Sequence, residues 1–396
     1  MMRVRVMSRK TDIVVIGGGV IGASITYYLS KRGKKVILVE KKDFAFGSSG
    51  ACDQMIFLQT KNPGIHLELA IESKKMYKNL EKELNHPIEF QTIGGMVLIE
   101  TEDQMRVMKE FVKRQKETGL NVEILDIKDG SKIQEGLSPD LVGTTYSPDD
   151  AHVNSLELIK GYIKKAVTFG TEVLVNTEVI GIRTKNGKVK GVETTKGTIG
   201  CEVLVNAAGS WAPVIGEMIG LDLPIRPRRG QIILTEEVPP YIKHDIISAN
   251  YITAKYSLDR SFDNDVLGKL GVGLAISQNH RGNIFIGATR EFAGYNTETT
   301  REGIRRILKH AGKLIPGIVN FNIIRTFAGL RPYTPDGLPI IGYVDEVEGF
   351  FIAAGHEGDG ICLSPVTGKI VSELIIDGKT FIDAKLLNLN RFRHLT

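Results

Sequence analysis

Three glycines at a fixed spacing, Gly17, Gly19 and Gly22, lie between the apolar run Ile13-Val14-Val15-Ile16 and a helix-patterned stretch from about Val20 to Lys31. A second apolar run, Val36-Ile37-Leu38-Val39, ends on Glu40. Each residue type has a physical task in that order. Gly17 makes a tight turn, Gly19 lets the backbone approach a pyrophosphate, and Gly22 lets the helix pack close to the strand. The helix N-terminus at Val20 and Ile21 faces the phosphate charge, and Glu40 takes ribose hydroxyls. Strand, glycine turn, helix, strand and acid make a nucleotide-binding βαβ unit, so the chain is expected to hold a dinucleotide.

Two further glycine sites narrow which one. Beyond Glu40 runs Lys41-Lys42-Asp43-Phe44-Ala45-Phe46-Gly47-Ser48-Ser49-Gly50-Ala51. Such a turn can set its amides and the hydroxyls of Ser48 and Ser49 against a flavin's phosphates or ring; read alone, it is equally a surface loop. The strand-like Val203-Leu204-Val205-Asn206 runs into Ala207, Ala208 and Gly209 before Trp211, small residues that allow close approach to the adenosine half of a cofactor. Near the C-terminus, Phe350 to Ala354 enters Gly355-His356-Glu357-Gly358-Asp359-Gly360-Ile361, followed by an apolar helix pattern through Ile375. Amides at that helix N-terminus suit a flavin pyrimidine edge that becomes anionic on reduction. Sites spread from one end of the chain to the other fit an extended cofactor lying across a sheet, which favours FAD over NAD.

The elements that must position these residues follow from the pattern. Asn62-Pro63 reads as a helix cap with apolar spacing continuing to about Leu84. From about Pro87 to Tyr146 short strands such as Met96 to Ile99 and Val122 to Leu125 flank a helix near Asp103 to Thr118. A helix capped near Asn154, a strand at Val173 to Val175 and a hairpin from Glu178 to Thr195 turning on Asn186-Gly187 come next. Between about Leu223 and Arg325 the pattern is strand-rich, with Gln231 to Thr235, Gly273 to Ser277 and Asn283 to Ala288.

Composition bounds the class. With 396 residues and 42% hydrophobic content, two lobes of a soluble globular protein are expected. A net charge of +5, from 51 basic and 46 acidic residues, argues against nucleic-acid binding or an electrostatic membrane anchor. The charge runs Lys31-Arg32 to Lys34-Lys35 and Arg226 to Arg229 read as solvated faces. Cys52, Cys201 and Cys362 have no C-x-x-C spacing, which fits a reduced, cytoplasmic setting. Met1 to Lys10 has no apolar core of a signal peptide and reads as a short, poorly ordered lead-in; no apolar run reaches spanning length. The eight histidines are scattered without ligand spacing, so no metal is expected.

With the fingerprint ending on Glu40, the Asn206 to Trp211 segment, Ala328-Gly329-Leu330-Arg331-Pro332-Tyr333-Thr334-Pro335-Asp336-Gly337 and the Gly355-His356 to Pro365 motif, the chain resembles the D-amino-acid oxidase, glycine oxidase and sarcosine oxidase family of FAD-dependent amine oxidoreductases. Within it, the resemblance is nearest to beta subunits of dye-linked proline, hydroxyproline or opine dehydrogenases and of sarcosine oxidase. The resemblance implies an α/β fold: a Rossmann-like FAD-binding domain of glutathione-reductase type, with an α+β substrate domain built on an antiparallel sheet. The expected division gives residues 10–86, 147–222 and 326–380 to the first domain, and 87–146 and 223–325 to the second. Val179 resembles the adenine-contacting strand position, or is an ordinary hairpin core residue. The implied partners are a small amino acid and either other subunits or further copies of the chain.

The resemblance also implies roles. The activity would be oxidation of a small secondary or D-amino acid at the α-carbon, with proline, hydroxyproline, sarcosine or an opine as the class. Arg331 matches the glycine oxidase arginine that holds the substrate carboxylate, or tethers its loop to a neighbouring carboxylate. His356 can hydrogen-bond near the flavin, move a proton or satisfy backbone groups. Tyr333 can border the substrate. Tyr251, Tyr256 and His280 can line the pocket, or pack and lie on a surface loop. Departures matter as well. Where monomeric sarcosine oxidases carry arginines, the chain has Cys52 to Lys61 and no arginine, with Lys61 able to substitute or reading as a solvated lysine. Gly358 and Asp359 stand where glycine oxidase has an arginine. Phe285 takes the place of the oxygen-promoting lysine of sarcosine oxidases, which leans towards a dehydrogenase over an oxygen-using oxidase. No cysteine lies in Leu330 to Thr334, so FAD is expected to be non-covalent, with Cys362 a small buried thiol. A flavin-binding subunit with a vestigial site is the rival expectation.

Overall fold

A computed structural model of the chain describes residues 9–256 and 271–393, apart from the side chains of 253–256. Tyr256 therefore lies outside the described side chains, and so does most of the expected lead-in, of which Arg9–Lys10 pairs parallel to the strand Gly197–Gly200.

Four-residue apolar strands buried on both faces make a parallel sheet that needs cover on each side. Among the described residues, a six-stranded sheet runs Glu172–Leu174, Val36–Val39, Ile13–Ile16, Val203–Asn206, Phe350–Ala354, Ile340–Tyr343, all parallel except the last. The two strands from the fingerprint and the two from the later glycine sites are thus neighbours, and their C-terminal ends deliver all three turns to one edge. The helices Val20–Lys31 and Gly360–Asp377 pack against each other, with Ser24 Oγ donating to the Ser364 carbonyl at 2.7 Å. The helix Ser155–Thr168 starts as its sequence suggests, the Asn154 side chain accepting from the amides of Leu156 and Glu157. The hairpin Val179–Lys185 and Lys188–Thr194 turns on Asn186 and Gly187, both at positive φ.

An eight-stranded sheet runs Ile323–Tyr333, Arg226–Glu237, Asn283–Arg290, Gly271–Gln278, Asp245–Ser248, Gly95–Ile99, Gly143–Ser147, Glu123–Leu125. It is antiparallel save for one parallel pair, Asp245–Ser248 with Gly95–Ile99. Its longest pairing joins Arg226–Glu237 to Ile323–Tyr333, so the latter strand carries Arg331 on this sheet and runs through residue 326. The strand-rich reading of 223–325 overlooked the helix Arg301–Leu314, which buries Ile307, Ala311 and Leu314 and is capped by the Thr300 side chain. The helix Ile65–Leu84 starts after Gly64, not at Asn62, because Gly64 has φ +102°.

Candidate active site

One long cleft of about 390 Å³ crosses the C-terminal ends of the parallel strands and reaches the larger sheet. Its walls include most of the residues expected to touch the cofactor; Gly22, Gly50, Gly355 and Asp359 lie outside them. The exceptions have physical reasons. A Cβ on Gly22 would sit 1.9 Å from the Gly17 carbonyl oxygen, and one on Gly50 would sit 2.3 Å from that of Ala45, so both serve close backbone packing. Gly17 itself holds φ +112°, with a Cβ there only 2.5 Å from the Ala207 carbonyl oxygen. The first two glycine sites therefore fit together as one cradle.

At one end of the cleft the Glu40 carboxylate accepts from the amides of Gly18 at 2.6 Å and Lys42 at 2.7 Å. Lys41 Nζ pairs with Glu178 Oε1 at 2.7 Å, and Glu178 joins Val179 in the wall. Further along, Ser49 Oγ accepts from the Val20 amide at 3.1 Å, and Trp211 stacks on Tyr295 with centroids 5.6 Å apart. Ser48 and Ser210 both donate to the Leu330 carbonyl. That pair ties the two small-residue turns to the strand that presents Arg331.

The far end is a charged chamber. Arg331 lines it, donating from Nη1 to the Thr289 carbonyl at 3.1 Å. Gly230 makes room for this side chain, since a Cβ there would meet Arg331 Nη1 at 2.1 Å. Asp53 lines the same chamber: burial raises its pKa and the Arg331 charge opposes that rise. Burial also lowers the pKa of Arg331, reinforced by Arg290 nearby. Arg228 is directly opposite Arg331 in the strand register, and Arg290 is on the next strand. Arg228 Nη2 forms a close ion pair with Glu357 Oε1, while Arg290 Nη1 lies 4.0 Å from that oxygen. Arg290 stacks its guanidinium 4.0 Å over the ring of Tyr251, itself a chamber residue.

Several expectations about side chains are corrected here. The run Arg226 to Arg229 is solvated only at Arg226, which is exposed, because Arg228 is largely buried on Glu357 and Arg229 pairs inside with Glu291 at 2.7 Å. Lys61 is not solvated either: its side chain is 3% exposed and Nζ is 2.8 Å from Asp359 Oδ1. Burial opposes its charge, but the Asp359 carboxylate prevails and raises its pKa. His66 Nε2 is 3.1 Å from the other Asp359 oxygen, which keeps Asp359 beneath the N-terminus of the helix Gly360–Asp377. Tyr333 is outside the cleft wall and supports Arg228, whose guanidinium is 4.7 Å from its ring centroid.

His356 lines the cleft but is buried, with Nε2 3.1 Å from Thr367 Oγ1. Burial pushes its pKa down to about 3, so it is neutral at ordinary pH and no ready proton acceptor. His280 pairs with Glu89 at 2.8 Å beside a smaller cavity that Phe285 also lines. Cys52 lines the main cleft, where burial pushes its thiol up to about 11, and Cys362 is buried. Sequence reading did not single out Asp53, Arg228, Arg290 or Glu357. The available signal was charged residues set into otherwise apolar strands and glycine turns.

The backbone cradle, the ribose-end acid and the amides at the start of the helix Gly360–Asp377 fit FAD, which Gly17, Gly19, Glu40, Ser49 and Gly360 would hold. Comparison with known proteins agrees. Residues 12–374 match the family model DAO, FAD dependent oxidoreductase. The chain is 29% identical to hydrogen cyanide synthase subunit HcnC of Pseudomonas aeruginosa, with 93% of each chain covered. It is 29% identical to glycine oxidase of Geobacillus kaustophilus, covering 97% of this chain and 98% of that one. Among solved structures, L-proline dehydrogenase from P. horikoshii superposes with a TM-score of 0.88 at 28% identity, covering 98% of this chain and 99% of that one. The chain belongs to the DAO family of FAD-dependent oxidoreductases.

Proposed function

We propose that the protein oxidises a small secondary or D-amino acid, of the proline, hydroxyproline, sarcosine or opine class, and passes the electrons to an acceptor other than oxygen. The observation that carries this reading is the chamber at the far end of the cleft, where Arg331 and Asp53 face the same space. A guanidinium fork binds a carboxylate in two places at once, which fixes the α-carbon. Asp53 then stands to take the proton of the amine, leaving the nitrogen lone pair free to support loss of hydride. When bound, FAD supplies the hydride acceptor. The amides at the start of the helix Gly360–Asp377 and the neutral His356 hold the polar edge of the site without adding charge.

Support for the acceptor comes from the cleft wall. Among the described residues, the lysines lining it are Lys41 and Lys42, both beside Glu40 at the ribose end. The Pseudomonas relative is a synthase subunit by name, which supports a partner chain here. Anaerobic mixing of the purified yellow protein with both enantiomers of proline, hydroxyprolines, sarcosine, glycine, D-alanine and an opine tests the reading. The expected result is fast loss of flavin colour with one class and slow return in air. Immediate, stoichiometric peroxide on admitting air would overturn the choice of acceptor.

A further inference from the structure

We propose that the substrate carries a second carboxylate, held by Arg290 while Arg331 holds the first. This inference rests on the amino acid oxidation reading above and narrows its substrate class to aminodicarboxylates of net charge −1.

Arg290 has donors to spare. Its Nε and Nη2 are buried and have no hydrogen-bond partner among the described residues, and its Nη1 reaches Glu357 only at 4.0 Å. Glu357 is already taken by Arg228, and its other oxygen accepts from the Gly358 amide at 2.6 Å. Buried guanidinium donors left unpaired are costly, so a site that keeps them is built for an anion that arrives. Arg290 is placed for this. It is stacked on Tyr251, whose neighbours in the chamber wall are Gly358 and Arg331, and it follows Thr289, whose carbonyl orients Arg331.

Charge counting agrees. Among the described residues the cleft wall holds Arg331, Asp53 and Glu357, and Arg228 and Arg290 stand against Glu357 and Tyr251 beside it, so this cluster sets three guanidiniums against two carboxylates, an excess of one positive charge. A zwitterionic monoacid brings no net charge and leaves that excess buried. An amine with two carboxylates brings −1 and cancels it. Oxidation then balances as for any amino acid: the α-carbon loses hydride to FAD, the nitrogen loses a proton, and water splits the resulting imine into an amine and a 2-oxo acid. The second acid can sit on the nitrogen substituent, as in an imino diacid, or on the carbon side chain, as in an acidic amino acid.

Two matched pairs separate these sources in anaerobic flavin bleaching: N-(carboxymethyl)alanine against N-ethylalanine, and glutamate against norvaline, all racemic. In one pair the diacid is expected to bleach with a second-order rate constant about 10- to 100-fold above its partner, the worth of a charge-assisted hydrogen-bonded pair. Arg290→Met should bring that ratio to one or below, with Arg290→Lys between. Calorimetry gives a readout free of turnover, in which glutarate binds the wild type more tightly than butyrate and Arg290→Met removes the difference. Monoacids bleaching as fast as diacids in both pairs, or a ratio unmoved in Arg290→Met, would overturn the second-carboxylate assignment alone. No bleaching by any amine, including the monoacids, would instead remove the amino acid reading and this inference with it.

Discussion

At the scale of single residues, two side chains decide whether the chamber does chemistry. Asp53 is the proton acceptor in our account, and its pKa is raised by burial against the pull of Arg331. The sign follows. Wild-type kcat/KM should fall as pH drops through that raised pKa, because the protonated carboxyl cannot take the amine proton, and should level off above it. Asp53→Asn should lose the plateau and keep rising with pH, since only pre-neutralised amine reacts, with kcat/KM near neutrality lower by about 100-fold. A pH series of anaerobic reduction rates checks both shape and size. Gly17 decides whether FAD is held at all: Gly17→Val forces a side chain into φ +112° and into the Ala207 carbonyl, and should yield folded but colourless protein. Absorbance at the flavin band against far-UV circular dichroism separates those two effects.

These residues differ in how readable they are. Gly17, Gly19, Gly22 and Glu40 act within one short βαβ unit, so spacing alone exposes their job. Asp53 and Arg290 act through each other's neighbours across more than 200 positions of chain, and the local signal, a charge set into a strand or turn, does not say what each one meets. Their meeting depends on strand register in the larger sheet, which the alternation of residues does not disclose.

At the scale of elements, the helix Gly360–Asp377 is the one whose placement matters most, because its first turn lines the cleft together with the fingerprint glycines. Its start is fixed by a buried trio, Lys61, His66 and Asp359, drawn from two stretches of sequence almost 300 residues apart. Lys61→Met leaves the Asp359 carboxylate short of its main partner, and breaking such a buried pair costs about 3–5 kcal/mol. Chemical unfolding should show that loss, and the double change with Asp359→Asn should recover part of it. Equal stabilities for the single and double variants would mean the pair does not hold the turn. The trio was hidden because a lone lysine after a loop reads as solvated until the fold encloses it. The helix Arg301–Leu314 was legible in principle, with Thr300 as cap and apolar residues at helical spacing, but surrounding strands masked its period.

At the scale of the whole molecule, two sheets share one cleft: the parallel one supplies the cofactor cradle and the larger one supplies the arginines. The larger sheet also carries a buried acid. Asp245 is fully buried, with His152 Nδ1 3.9 Å away, and burial raises its pKa to about 6. An acid whose folded pKa exceeds its unfolded one contributes most stability below pH 4 and loses it as pH rises through 6. The wild type should therefore weaken between pH 4 and 7 relative to Asp245→Asn, by on the order of 1–3 kcal/mol. Unfolding free energies at pH 5 and 8 for both proteins measure it. Among the described residues no helix is long and apolar enough to cross a membrane.

The most direct test of the central claim compares anaerobic flavin bleaching in the wild type and in Arg331→Met across the amine panel. The account predicts that at least one secondary or D-amino acid bleaches the wild type quickly and that Arg331→Met, still yellow, does so about 100- to 1,000-fold more slowly per unit of substrate. A wild type that no amine bleaches, or a variant that reacts as fast as the wild type, would contradict it.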